Sequence, residues 1–104
     1  MENETLKRIK ENMAHGFKEF DIPAYMQGAI ERYIMKGVIP GDFLVGVISN
    51  DLKKAVWHSD STNSKLLRNY VMFFYNNAPS ECWGSLNKMI QWSENDGSQQ
   101  YLIS

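Results

Sequence analysis

Ile22-Pro23-Ala24-Tyr25-Met26 through Ala55-Val56, with Lys36-Gly37-Val38-Ile39-Pro40-Gly41-Asp42 in the middle, decides the fold. It reads as two helical patterns joined by a turn. Pro23 suits the first turn of a helix, where its missing N–H is not needed and its φ is already helical. Asp21 just upstream is placed to accept from the free N–H groups of that end. Met26, Ala29, Ile30, Tyr33 and Ile34 then recur at helical spacing, with Gln27, Glu31, Arg32 and Lys36 off the stripe. Lys36 followed by Gly37 is a helix stop: a cation in the last turn, then a residue at home in the left-handed region. Pro40-Gly41-Asp42 reads as a turn that delivers Asp42 as the next N-cap.

The second pattern predicts one helix from about Phe43 to Trp57, with Leu44, Val47, Ile48, Leu52, Ala55 and Val56 on one broad face. Asp51 falls inside that apolar arc, and Asn50 sits at its edge beside Phe43. A buried carboxylate left unpaired is costly. Asp51 is therefore expected to pair with an arginine, Arg32 first, or to cap a neighbouring helix. The alternative is that it lines a ligand pocket or a partner-facing groove.

The 104 residues, 43% apolar and 22% charged, suit one globular domain, residues 1–104. Folding at this length removes roughly two-thirds of the unfolded chain's surface, enough for one core without staples. Cys82 is the single cysteine, so no internal disulfide forms, and it reads as a small buried hydrophobe. The acidic, polar start Met1-Glu2-Asn3-Glu4-Thr5 does not read as a secretory signal, and no apolar run approaches membrane-spanning length. A net charge of −1 argues against direct nucleic-acid binding, which favours a basic stripe. Lys53, Lys54, His58, Lys65 and Arg68 form one locally basic stretch, read as a solvated helix end.

Residues 1–20 carry Leu6, Ile9, Met13, Phe17 and Phe20 on a narrow stripe, an amphipathic helix ending near Gly16 or reaching Phe20. That stripe is expected to dock on its own chain; the alternative is a partner or a second copy, giving a homo-oligomer. Ser59-Asp60-Ser61-Thr62-Asn63 is a capping-rich turn opening a pattern from Leu66 to Tyr75 that is apolar nearly all round, as for a buried central helix; the short aromatic run Tyr70–Tyr75 also suits a strand, but the capping start and the length favour helix. Asn76-Asn77-Ala78-Pro79 ends it. Ser85 is the expected N-cap of a helix over 86–92, with Trp83 stapled against Met89 or Ile90. In the tail, 94–104, residues 94–100 are polar and turn-rich and are expected to be mobile, and 101–103 either fold back onto the body or form a contact segment. The class predicted is all-α: one compact bundle of four to five helices, with residues 22–92 as its core.

No catalytic pattern emerges. His15 and His58 are the two histidines, both in charged stretches, and neither makes a local signature with a serine or with Cys82. Two isolated histidines and one cysteine do not make a metal site, and the glycines form neither a Walker loop nor a dinucleotide fingerprint. No enzyme activity, metal or cofactor is therefore expected. Binding is the better class, with Arg32, Asp42, Asn50, Asp51, Asn76, Trp83, Gly84 and Ser85 as candidate residues: aromatics beside polar caps and free helix N-termini suit an anion, a nucleotide or a protein hot spot. The plainer expectation for Trp57, Trp83 and Trp92 is that they fill the core.

Ile22-Pro23-Ala24-Tyr25-Met26, Ala29-Ile30-Glu31-Arg32-Tyr33-Ile34, Pro40-Gly41-Asp42-Phe43-Leu44, Asn50-Asp51-Leu52, Tyr75-Asn76-Asn77-Ala78-Pro79 and Cys82-Trp83-Gly84-Ser85 resemble a family of short proteins encoded by tailed bacteriophages and other mobile elements. The resemblance covers roughly residues 22–92. It implies a setting, the host cell cytoplasm, and a class: small accessory proteins that counter host defence. By that class the expected partner is a host defence protein, inhibited as an anti-CRISPR protein inhibits its nuclease. The alternatives are a sponge for a signalling nucleotide, using Arg32, Asp51, Asn76 and the Trp83-Gly84-Ser85 turn, and a regulatory oligomer using the Leu6–Phe20 stripe.

Overall fold

The structure, a computed structural model, describes residues 3–102. Those residues form seven α-helices and two 3-10 segments, with no strand. The all-α class is as expected, but the helix count exceeds four to five because the expected Phe43–Trp57 helix is broken in two and the capping turn before Leu66 is itself a short helix. The radius of gyration, 13.0 Å, is that of one compact body of this size.

Helix α1 (Glu4–Glu19) starts on Asn3, whose side chain accepts from the Thr5 N–H at 2.7 Å, and it runs on past Gly16. Its stripe docks on its own chain. Leu6 and Met13 are buried, Ile9, Phe17 and Phe20 pack against the core, and the Phe17 ring stacks on Phe73 at 5.0 Å. Asp21 does not cap the next helix; it takes φ 52° in the connecting turn, and α2 (Ala24–Lys36) starts after Pro23 with no side-chain cap. Ile30, Tyr33 and Ile34 of α2 are fully buried. Gly37 ends the helix at φ 75°, as the sequence predicts.

The expected Phe43–Trp57 helix is two helices, α3 (Asp42–Ile48) and α4 (Leu52–Trp57). Asp42 is the first residue of α3 rather than its cap, a position held by Gly41 without a side-chain bond. The break has a local cause. Asn50 adopts φ 60°, a conformation that asparagine tolerates better than most residues. The Ser49 hydroxyl donates to the Val45 carbonyl at 2.6 Å, and the Asp51 N–H turns back to the Gly46 carbonyl at 2.8 Å. Asp51 then caps α4, its carboxylate accepting from the Lys54 N–H at 3.0 Å. The expected Asp51–Arg32 pair gives way to this cap. A Cβ on Gly46 would overlap the backbone of Ala55, so the two short helices touch main chain to main chain.

Asp60 caps α5 (Ser61–Lys65) by accepting from the Asn63 N–H at 2.7 Å, and Leu66 separates it from α6 (Leu67–Asn77). Tyr70, Phe73 and Phe74 of α6 are fully buried, but Val71 and Tyr75 face outward, so α6 is central on one side only. The correction follows from its place at the edge of the bundle, where α1 and α3 cover its inner face. Ser80–Cys82 form a 3-10 turn, and Ser85 caps α7 (Leu86–Glu94) by accepting from the Lys88 N–H at 3.1 Å. Trp83 packs on Phe74 at 6.0 Å, and Trp92 is buried with its Nε1–H donating to the Tyr33 carbonyl at 3.1 Å.

The tail expected to be mobile is anchored. Its 3-10 segment, Gly97–Leu102, lies on the end of α2, where the last carbonyls lack helical donors. The buried Ser98 hydroxyl donates to the Ile34 carbonyl at 2.7 Å, and Gln99 Nε2 donates to the Met35 carbonyl at 3.0 Å. Gly37 and Gly97, both at positive φ, allow this close approach of two backbones. Ile103 lies outside the described residues.

Candidate functional site

Helix α4 is turned inside out. Ala55 is its one buried residue, while Leu52 is 68%, Val56 54% and Trp57 79% exposed. Leu52 and Val56 are one turn apart and make an apolar ridge. The bend at Asn50 rotates α4 so that its small face, Ala55, meets Gly46, and its large side chains meet solvent. Trp57 was expected in the core; with Gly46 and Ala55 in backbone contact, there is no room beneath α4 for it.

Between α4 and α6 runs a groove of about 340 Å³. Gly46, Val47 and Ala55 lie on one side, Leu67, Arg68 and Val71 on the other, and the exposed Leu52 lines it too. Tyr75, one turn beyond Val71, is 74% exposed. On the far flank of α4, Trp57 shares a hollow with Asp51, Lys53, Lys54 and His58. Among the described residues, Lys53, Lys54, Lys65 and Arg68 form no ion pair. His58 Nδ1 lies 3.9 Å from Asp42 Oδ2 in a largely solvated pair.

The residues singled out in the sequence are dispersed. Asp42, Asn50 and Asp51 line three different hollows. Arg32 and Asn76 are exposed, and the Asn76 amide donates to the Met72 carbonyl of its own helix at 2.9 Å. The Gly84 N–H donates to the Ile48 carbonyl at 2.7 Å, and Ser85 serves α7 as cap, so the Trp83-Gly84-Ser85 turn holds α7 to α3. Leu6, Ile9, Met13 and Phe17 are engaged with the core.

A larger groove, about 710 Å³, was missed in the sequence. Arg8, Asn12 and His15 of α1 face Asn77, Pro79 and Tyr101 across it. Asn77 Nδ2 donates to the Asn12 carbonyl at 2.9 Å and to Asn12 Oδ1 at 3.0 Å, while Asn77 Oδ1 is buried without a donor. The one sequence signal was the spacing of Arg8, Asn12 and His15, which shares a helix face but looks like any solvated one.

Titratable groups with shifted behaviour are structural. Burial pushes the Cys82 thiol well above the usual range, so it stays protonated at neutral pH, and its carbonyl accepts from the Tyr33 hydroxyl. Burial likewise raises the Tyr33 and Tyr70 phenols. The Asn63 N–H and then the Tyr25 hydroxyl hold the Asp60 carboxyl below its ordinary value. Among the described residues there is no cluster of three metal-ligating side chains, and no helix is long and apolar enough to cross a membrane. Comparison with protein-family models, curated proteins and solved structures gives no match to this chain.

Proposed function

We propose that the protein works by stoichiometric binding to another protein, and that its partner is a host defence protein held inactive during infection by a phage or mobile element. The setting rests on the sequence resemblance. The mode of action rests on one observation: α4 exposes Leu52, Val56 and Trp57 and buries only Ala55. Large apolar side chains left exposed together on one short helix, a Trp among them, are the composition of an interface hot spot. A standard interface takes about 800 Å² from each partner, about one-eighth of the 6404 Å² surface here. One face centred on α4 therefore suffices, and the tightly packed remainder serves as its scaffold.

The test is to express the tagged protein in a host carrying the defence system and to follow both protection of an infecting phage and the mass of the complex formed. Leu52→Asp and Trp57→Ala are expected to abolish protection and the complex while melting as the parent does. Protection unchanged in both variants would overturn the proposal.

The groove between α1 and the end of α6 favours a second reading, a sponge for a signalling nucleotide, with Arg8 and His15 near the phosphates in place of the residues named from the sequence. A thermal-shift screen against cyclic oligonucleotides and ADP-ribose derivatives tests it. A ligand at 100 times its Kd stabilises by about 2.7 kcal/mol, a shift lost in Arg8→Ala; flat curves would remove this reading.

A further inference from the structure

We infer that the α4–α6 groove takes an amphipathic helix of the partner, with an apolar face that seats on Leu52, Leu67 and Val71 and with acidic flanks. The inference rests on the reading of α4 as the docking element and adds the chemistry of what docks there.

Shape gives the first half. Two helices with exposed aliphatic side chains bound a shallow apolar trough, floored by Val47 and Ala55 and wide enough for an anchoring side chain. An amphipathic helix laid into such a trough places anchors at one-turn intervals, the spacing of Leu67 to Val71 along the α6 wall.

Charge gives the second half. Residues 50–75 contain four cations, Lys53, Lys54, Lys65 and Arg68, and two carboxylates, Asp51 and Asp60. The segment therefore carries 4 − 2 = +2 in a chain of net −1. Asp60 accepts from the Asn63 N–H and the Tyr25 hydroxyl, while the four cations form no ion pair among the described residues. A helix bearing Glu or Asp beside its apolar face complements this surface. A second copy does not, because a twofold contact across α4 would set Lys53, Lys54 and Arg68 against their own counterparts. Single-stranded nucleic acid would need stacking platforms in the groove, whereas no aromatic side chain lines it.

The test is an NMR titration of the intact protein with three helical peptides that share one leucine face and differ only in flanks of Glu, Gln or Lys. The Glu peptide is expected to shift the amides of residues 50–57 and 67–75 and to bind at least tenfold more tightly than the Lys peptide, the gap narrowing as salt rises. The double variant Lys53→Glu/Arg68→Glu, exposed at both positions, is expected to keep the fold by circular dichroism and reverse the order. Equal affinity for the three peptides, shifts elsewhere, no binding, a stronger response to a thymidine oligonucleotide, or a dimer in sedimentation would each overturn the inference. Should the peptides fail while Leu52→Asp still breaks the complex with the defence protein, the helix chemistry falls and the docking role of α4 stands. Should Leu52→Asp leave that complex intact, the docking role itself falls.

Discussion

At the scale of single residues, Asn50 directs the rest of the site. Its φ of 60° ends α3 and re-aims α4, and a different side chain there changes how firmly the bend is held. Asn50→Gly should be neutral or stabilising by up to about 0.5 kcal/mol, because glycine enters this region freely. Asn50→Val should cost about 1–2 kcal/mol, since the left-handed conformation crowds its Cβ. Denaturant unfolding of both variants checks this; equal stabilities would contradict a strained bend. Asp60 provides a pH signature. Its carboxyl is held low by the Asn63 N–H and the Tyr25 hydroxyl, so its contribution is present above the unfolded carboxyl pKa of about 3.9 and is lost as pH falls through the lower folded value. Melting temperature should therefore decline below about pH 4, and less steeply in Asp60→Asn. The buried Tyr33 hydroxyl satisfies the Cys82 carbonyl, and Tyr33→Phe should cost about 1–3 kcal/mol through the acceptor left unpaired.

At the scale of elements, the contact of α3 with α4 is the joint on which the exposed face depends. Gly46→Ala sets a methyl group into the backbone of Ala55, which cannot give way as a flexible side chain would. The expected cost is at the upper end of the roughly 1–3 kcal/mol of overpacking, with altered amide shifts in α4 and weakened partner binding. Unchanged α4 shifts would show that the joint is looser than described. The same joint marks where the sequence was readable and where it was not. Single-element features came through: the Gly37 stop, the Ser85 cap and the α1 stripe. The α3–α4 break did not, because Leu44, Val47, Ile48, Leu52, Ala55 and Val56 keep helical spacing straight through it. Periodicity registers spacing and is blind to one residue at positive φ that rotates the second half of the pattern. Ser49-Asn50-Asp51, three residues that compete with the helix for backbone hydrogen bonds, was the signal that carried the break. The anchored tail was illegible for another reason: it depends on Gly37 meeting Gly97 sixty residues away.

At the scale of the molecule, the fold separates its two tasks. Tyr33, Tyr70, Phe73, Phe74 and Trp92 gather the large side chains into one core, and α1 and the 3-10 tail close over it. The face made by α4 and the outer side of α6 is left apolar and cationic in a chain of net −1. Of the eight candidate residues read from the sequence, Asn50 and Asp51 shape that face by bending and capping, while its contact residues, Leu52, Val56, Trp57 and Val71, had been read as core. The measurement that tests the account most directly is amide hydrogen exchange of the protein alone and in complex with the captured defence protein. Slowed exchange confined to residues 50–57 and 67–75, with the outer face of α1 unchanged, is the predicted result. Protection centred on Arg8, Asn12 and His15 instead, with α4 exchanging as in the free protein, would contradict it.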